Sequence, residues 1–269
     1  MTKVISIANQ KGGVGKTTTS INLSASMAFL KKKVLLIDLD PQGNATTASG
    51  VNKYELEKTV YHLLVDQDNI NDIIIKNTSG KYDLIGGNSD VTAAEIKLIE
   101  AFARELRLKN ALQSIMQQYD YIFIDCPPSL NLLTVNAMAA SDSVLIPMQC
   151  EYYALEGITS LIETVTVLAK VVNPVLKIEG IIRTMFDSRN RLANDVSEQL
   201  QGYFKDKLYN TVIPRNIRLA ESPSHGLPVL YYDKNSTGAK AYLQLAKEML
   251  KRYKKLEKQQ AISLQTEIA

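Results

Sequence analysis

Five stretches of the chain are apolar without alternation: residues 3–8 (KVISIA), 33–39 (KVLLIDL), 121–125 (YIFID), 143–147 (SVLIP) and 178–185 (IEGIIRTM). Short β-branched runs of this kind suit strands buried on both faces, as in a parallel sheet. Between them the apolar positions recur at helical spacing, over residues 17–30, 91–118, 132–140, 154–172 and 192–203, with Asp90 placed to cap the second of these helices. Strands alternating with helices predict a parallel sheet with right-handed crossovers. Residues 42–90 are more polar and less regular, although 82–85 offers a further strand. A last helix is expected from the polar start at 235–238 to about residue 258, followed by a frayed tail over 259–269.

Composition changes this picture little. With 269 residues, 45% of them hydrophobic, the chain can bury a large core, and one domain over 1–258 is expected. A net charge of +3 is too small to attract nucleic acid globally, so an anionic partner must be met by a local cluster. Two cysteines, Cys126 and Cys150, without a CxxC pair point away from a disulfide framework or a zinc site, and they read best as two buried small hydrophobes. The N-terminus lacks a signal-peptide layout, no run of about eighteen apolar residues occurs, and a cytoplasmic protein is expected.

The chemistry concentrates after the first strand, in Lys11-Gly12-Gly13-Val14-Gly15-Lys16-Thr17-Thr18. Glycines let backbone N–H groups converge on phosphate oxygens, and the following helix adds the positive end of its dipole. Lys16 then neutralises β/γ-phosphate charge and the Thr17 hydroxyl can ligate magnesium, so ATP and Mg2+ are the expected ligands. The predicted fold is α/β, a P-loop nucleotide hydrolase with a mostly parallel twisted sheet flanked by helices on both faces. The usual spacing would put a first glycine at position 10, where Gln10 stands; a second lysine, Lys11, appears instead.

Two more strands end in carboxylates. The second gives Asp38 and Asp40, at period two and beside the P-loop at the sheet's carboxyl edge. Asp40 is the candidate for holding and polarising the attacking water, since phosphoryl transfer needs mainly positioning and charge stabilisation. Asp38 either organises the magnesium shell or the switch loop, or caps the turn before Pro41. The third ends in Asp125, placed to reach magnesium through a water.

KGGVGKTT, with DLDPQGNAT, DCPPS and CEYYALEG, resembles the deviant Walker A ATPases, and within them the ParA/Soj DNA-partitioning family, over residues 2 to about 250. The resemblance implies an ATPase that forms an ATP-sandwich homodimer in which Lys11 reaches the partner's phosphates. It further implies an adenine pocket lined by Pro214 and Asn216, non-specific duplex DNA contacts from Arg189 and Arg218, and release on hydrolysis stimulated by a ParB-like centromere-binding protein. Such a protein would be nucleoid-associated.

The final helix adds a stripe in which Lys247, Lys251 and Lys254 recur with Lys240 and Lys258 near one face, joined by Arg252 and Lys255. It can track phosphates or be a plain solvated face. Three other functions remain as alternatives. A MinD-like membrane-cycling ATPase would need a C-terminal amphipathic anchor, for which 259–269 supplies only Ile262, Leu264 and Ile268. A metal-cluster carrier would need bridging cysteines, and a non-hydrolysing scaffold would have no use for Asp40.

Overall fold

The computed structural model describes the backbone of residues 2–268 and the side chains of residues 2–259. Seven strands form one all-parallel sheet: β1 (Lys3–Ile7), β2 (Val34–Asp38), β3 (Asp83–Ile85), β4 (Tyr121–Asp125), β5 (Ser143–Gln149), β6 (Lys177–Phe186) and β7 (Leu208–Pro214). Their order is β3-β2-β4-β1-β5-β6-β7. From β1 the chain first crosses to the β2 side and later returns to fill the β5 side, so the direction of winding reverses around β1. Open α/β sheets form their ligand crevice at such a reversal, beyond the carboxyl ends of the strands.

The helices are α1 (Lys16–Phe29), α2 (Asn44–Ala48), α3 (Val91–Leu98), α4 (Arg107–Leu112), α5 (Leu132–Ala140), α6 (Ala154–Val171), α7 (Arg191–Phe204), α8 (Ile217–Glu221), α9 (Val229–Tyr232) and α10 (Thr237–Ile268). They cover both faces because successive strand side chains point to opposite sides. On β2, Leu35 and Ile37 enter the core shared with α3–α7, whereas Val34 and Leu36 enter the one shared with α1, α2, α9 and α10.

Three expectations need correction. The single helix over 91–118 is broken into α3, α4 and a short 3-10 turn (Met116–Gln118). Ala103 sits at φ 51°, which helical backbone does not tolerate, and the Asn136 side chain of α5 holds the break open. Its Nδ2 donates to the Arg104 carbonyl at 2.7 Å and its Oδ1 accepts from Leu108 N at 3.2 Å. Asp90 stands at the N-cap of α3 as expected, although its side chain makes no capping hydrogen bond. Residues 208–214, where the sequence predicted no strand, form β7. That strand was hidden because it lies at the sheet's edge and carries exposed Asn210 and partly exposed Thr211 in place of an apolar run. Finally, α10 continues past residue 258, and the tail expected to fray lies almost wholly outside the residues whose side chains are described.

Candidate nucleotide site

Between β1 and α1 the chain makes a loop that is fixed at both ends. Asn9 anchors its start, donating from Nδ2 to the Pro147 carbonyl of β5 at 2.8 Å and accepting Lys11 N–H at 3.0 Å. The Thr184 hydroxyl on β6 lies 2.8 Å from the Val14 carbonyl and 3.0 Å from that of Met148, bracing the middle. Gly13 (φ 74°) and Gly15 (φ 87°) take left-handed backbone open to glycine without strain, and a Cβ built on Gly13 meets nothing within 4 Å. The concave side of the loop is therefore free for a ligand to approach the backbone N–H groups.

Lys16, the first residue of α1, is buried, and its Nζ donates to the Lys11 carbonyl at 3.1 Å. Burial pulls its ammonium below the usual lysine range, opposed by the Asp125 and Asp40 carboxylates. Lys11 is half-exposed and pairs within its own chain with Glu151, just beyond β5.

Strand register explains the carboxylates. Asp38 and Asp125 are partners across β2 and β4, so their side chains meet at adjacent strand ends, and both are fully buried. Asp38 is well held: its Oδ2 accepts from Thr46 N at 2.8 Å and Thr46 Oγ at 2.7 Å, and its Oδ1 accepts from Asp40 N at 3.2 Å. Gly87 passes so close that a Cβ there would sit 2.6 Å from the Asp38 carbonyl. Asp125 accepts from Ser20 Oγ at 2.8 Å through Oδ1, but its Oδ2 is shielded from solvent with no hydrogen-bond partner. Burial pushes both carboxyls above the ordinary range, helped at Asp125 by the Asp38 charge and at Asp38 by that of Asp40. An orphaned buried carboxylate oxygen near Thr17 and Lys16 fits a divalent cation, which would reverse that preference and leave both acids ionised. Asp40 is partly exposed and caps its own turn, Oδ1 accepting Gln42 N–H at 2.9 Å.

The structure thus gathers Lys11, Gly12, Gly13, Val14, Gly15, Lys16, Thr17, Thr18, Asp38, Asp40 and Asp125 around one crevice at the sheet's carboxyl edge. Pro214 ends β7 at that same edge, and Asn216 caps α8, its Oδ1 accepting Leu219 N–H at 3.2 Å and its Nδ2 donating to Thr237 Oγ at 2.8 Å. Sequence reasoning missed the supporting residues Asn9, Ser20, Thr46, Glu151 and Thr184. Only Ser20 carried a legible signal, lying one turn after Lys16 on the same helix face.

The DNA-contact candidates are not brought together. Arg189 and Arg218 lie beyond β6 and β7 at the carboxyl edge. Arg189 is highly exposed and bidentate with Asp187, at 2.9 and 2.8 Å; Arg218 pairs with Glu221 at 2.9 Å and Asp233 at 3.5 Å. Helix α10 runs antiparallel to β7: Thr237 meets Asn216 above the strand's end, and Arg252 donates to the Leu208 carbonyl at its start. At 1.5 Å per residue, Lys254 is about 26 Å along the helix from Thr237. Lys247, Lys251 and Lys254 are exposed, but Arg252 is structural, its guanidinium 4.0 Å over the Tyr209 ring and bonded to Glu248. Cys126 and Cys150 are buried thiols, the latter pushed up to about 11 by burial. No described helix is long and apolar enough to cross a membrane.

Residues 2–178 match a family model described as an AAA domain. The chain is 55% identical to the sporulation initiation inhibitor protein Soj of Bacillus subtilis, over 93% of this chain and 98% of that one. It is 48% identical to the chromosome partitioning protein ParA of Myxococcus xanthus, over 93% of this chain and 88% of that one. Among solved structures it resembles the cobyrinic acid a,c-diamide synthase of Mycobacterium smegmatis with bound ADP and magnesium, at 33% identity and TM-score 0.83, covering 94% of this chain and 96% of that one.

Proposed function

We propose, from the premise that this chain belongs to the ParA/Soj family of partitioning ATPases, that it moves DNA through an ATP-driven dimer cycle. It is an ATPase that uses ATP and Mg2+. The observation that carries the reading is the Asp38–Asp125 register pair, with one Asp125 oxygen buried and unpartnered beside Lys16.

Thr17, Asp38 and Asp125 would hold magnesium, which would offset charge on the phosphate oxygens. The chain's own residues do the rest. Lys16 exchanges the Lys11 carbonyl for β/γ-phosphate oxygens, while the loop N–H groups from Gly12 to Thr18 cradle the chain of phosphates. Lys11 leaves Glu151 and crosses to the partner subunit's phosphates, supplying in trans a cation where charge develops. Asp40 orients the attacking water, and Asp38, tied to Thr46, links the site to the segment after β2. Pro214 and Asn216 flank the adenine.

In the ATP state the homodimer binds duplex DNA without sequence preference through Arg189 and Arg218 at the carboxyl edge, with Lys247, Lys251 and Lys254 adding charge from farther along α10, away from that edge. Doubling the patch on one rigid surface raises effective concentration, so affinity follows dimerisation. A ParB-like centromere-binding partner stimulates hydrolysis and releases the nucleoid. The MinD-like alternative is less favoured, because the Myxococcus xanthus relative, 48% identical, carries a partitioning name.

Light scattering with ATP, ADP and EDTA tests the cycle. A dimer that requires ATP and magnesium, and is lost or fails to turn over in Lys11→Ala, is expected. A dimer of unchanged size without nucleotide, or normal hydrolysis by Lys11→Ala, overturns it.

A further inference from the structure

Away from the nucleotide crevice, the start of α4 turns a cation inward without a partner. Arg107, the first residue of that helix, is partly buried, and its Nε and Nη1 are shielded from solvent with no hydrogen bond. A guanidinium keeps its proton at every physiological pH, so it cannot shed charge to relieve that position. Unpaired donors in a shielded place call for a water, an ion or a ligand.

The surroundings show why no protein group answers it. Glu105, two residues earlier, is bonded to Arg104 Nε at 2.9 Å, and Asp68 is held by Lys58 at 2.8 Å. Arg107 itself forms no ion pair among the described residues. Its backbone is pinned on both sides by Asn136 of α5, which takes the Arg104 carbonyl and the Leu108 N–H. The guanidinium is therefore presented from a fixed base.

What it faces is a cavity of about 290 Å³. That volume lies near the lower bound of small-molecule sites and is too small for a polymer. Leu63, Ile70 and Ala111 supply apolar wall, the exposed amides of Gln67 and Asn110 supply polar wall, and Asp68 is the one acid. Leu63 comes from a single π-helical turn (His62–Asp66), a rare form that recurs at functional sites.

We propose that this cavity binds a small monocarboxylate, whose oxygens accept from the Arg107 guanidinium while a short apolar body packs on Leu63, Ile70 and Ala111. A planar fork matches a carboxylate. One cation lines the cavity, and Asp68 is already neutralised, so a monoanion balances the charge; a phosphate dianion would leave an excess facing Asp68. The site goes beyond the cycle above, since its lining comes from residues 63–70 and 107–114, which neither the nucleotide nor the DNA contacts use.

The test uses the full chain without nucleotide and, at constant ionic strength, acetate and propionate as probes. Acetamide serves as the neutral isostere and inorganic phosphate as the rival anion. The readout is the arginine Nε–H region of a proton–nitrogen correlation spectrum, where the Arg107 signal is the one missing from Arg107→Lys. Acetate should move that signal along a saturable curve and raise the thermal midpoint; acetamide should do neither. Propionate should bind about fourfold more tightly, because one more methylene is buried against the apolar wall. Arg107→Lys keeps a charge and a stem without the fork, and it should lose the acetate-induced rise in midpoint. Asn110→Asp, at an exposed position of α4, should keep the Arg107 signal and weaken acetate binding by putting a second acid in the cavity wall. Five results overturn the proposal. They are a signal that acetate leaves unmoved, so that water alone fills the cavity; an equal shift with acetamide; phosphate binding tighter than acetate; a midpoint rise undiminished in Arg107→Lys; or unchanged acetate affinity in Asn110→Asp. No arm contains ATP or DNA, so failure of the partitioning cycle leaves these readouts intact.

Discussion

At the carboxyl edge of the sheet, Asp38 and Asp125 are fully buried side by side, one oxygen of Asp125 has no partner, and Lys16 is drawn out of water with only a carbonyl to bond. At the amino edge, Asp83 and Asp120 each have a lysine and a backbone N–H within reach, and the remaining lysines face solvent. The same residue types thus sit in opposite electrostatic conditions at the two ends of the same strands. Buried charge without its partner is costly in the resting protein and strengthens every contact once a ligand arrives; exposed charge costs little and is screened. One edge holds buried charge short of partners, the other exposed charge that water and salt screen.

The comparison breaks most readily at Lys16. Lys16→Ala should lower ATP turnover on the order of a thousandfold in a steady-state phosphate-release assay and remove every nucleotide-dependent property. Retained turnover would mean that the buried ammonium is only structural. Asp40→Ala comes next: turnover is expected to fall about a hundredfold while labelled ATP stays bound, leaving a persistent dimer. Equal hydrolysis by this variant and wild type would remove Asp40 from the mechanism.

Smaller effects lie in the scaffold between the edges. Asn22 of α1 donates to the Thr18 carbonyl at 2.8 Å and accepts Val229 N–H of α9 at 2.7 Å, so Asn22→Ala leaves a buried N–H without a partner. It should cost about 1–3 kcal/mol, read as a lower urea midpoint at unchanged m. At the amino edge Asp83→Asn weakens the Lys76 pair, 60% exposed on its lysine side, and should cost under about 1 kcal/mol in the same measurement. Smallest of all, Lys31→Gln should move stability by no more than about 0.5 kcal/mol in the same measurement. A large loss there would show that the amino-edge lysines hold the fold.

The sequence by itself determined what local pattern encodes. The apolar runs became β1, β2, β4, β5 and β6, because a strand buried on both faces must be apolar throughout. The P-loop and the three aspartates were legible because glycine spacing and a carboxylate at a strand's end are short-range features. Tertiary structure decided whatever depends on contacts distant in sequence. Asn136 broke the helix expected over 91–118, and β7 formed from a half-polar segment because α10 supplied Glu248 to its Asn210 and Thr211 N–H groups. Register alone set Asp38 against Asp125 across eighty-odd residues of intervening chain. It also sent the two sets of basic candidates to opposite edges, since a helix antiparallel to β7 must carry its last lysines away from the crevice where the arginines lie. Sequence spacing records a residue's neighbours along the chain; the sheet's order and the direction of α10 decided which charges share a surface.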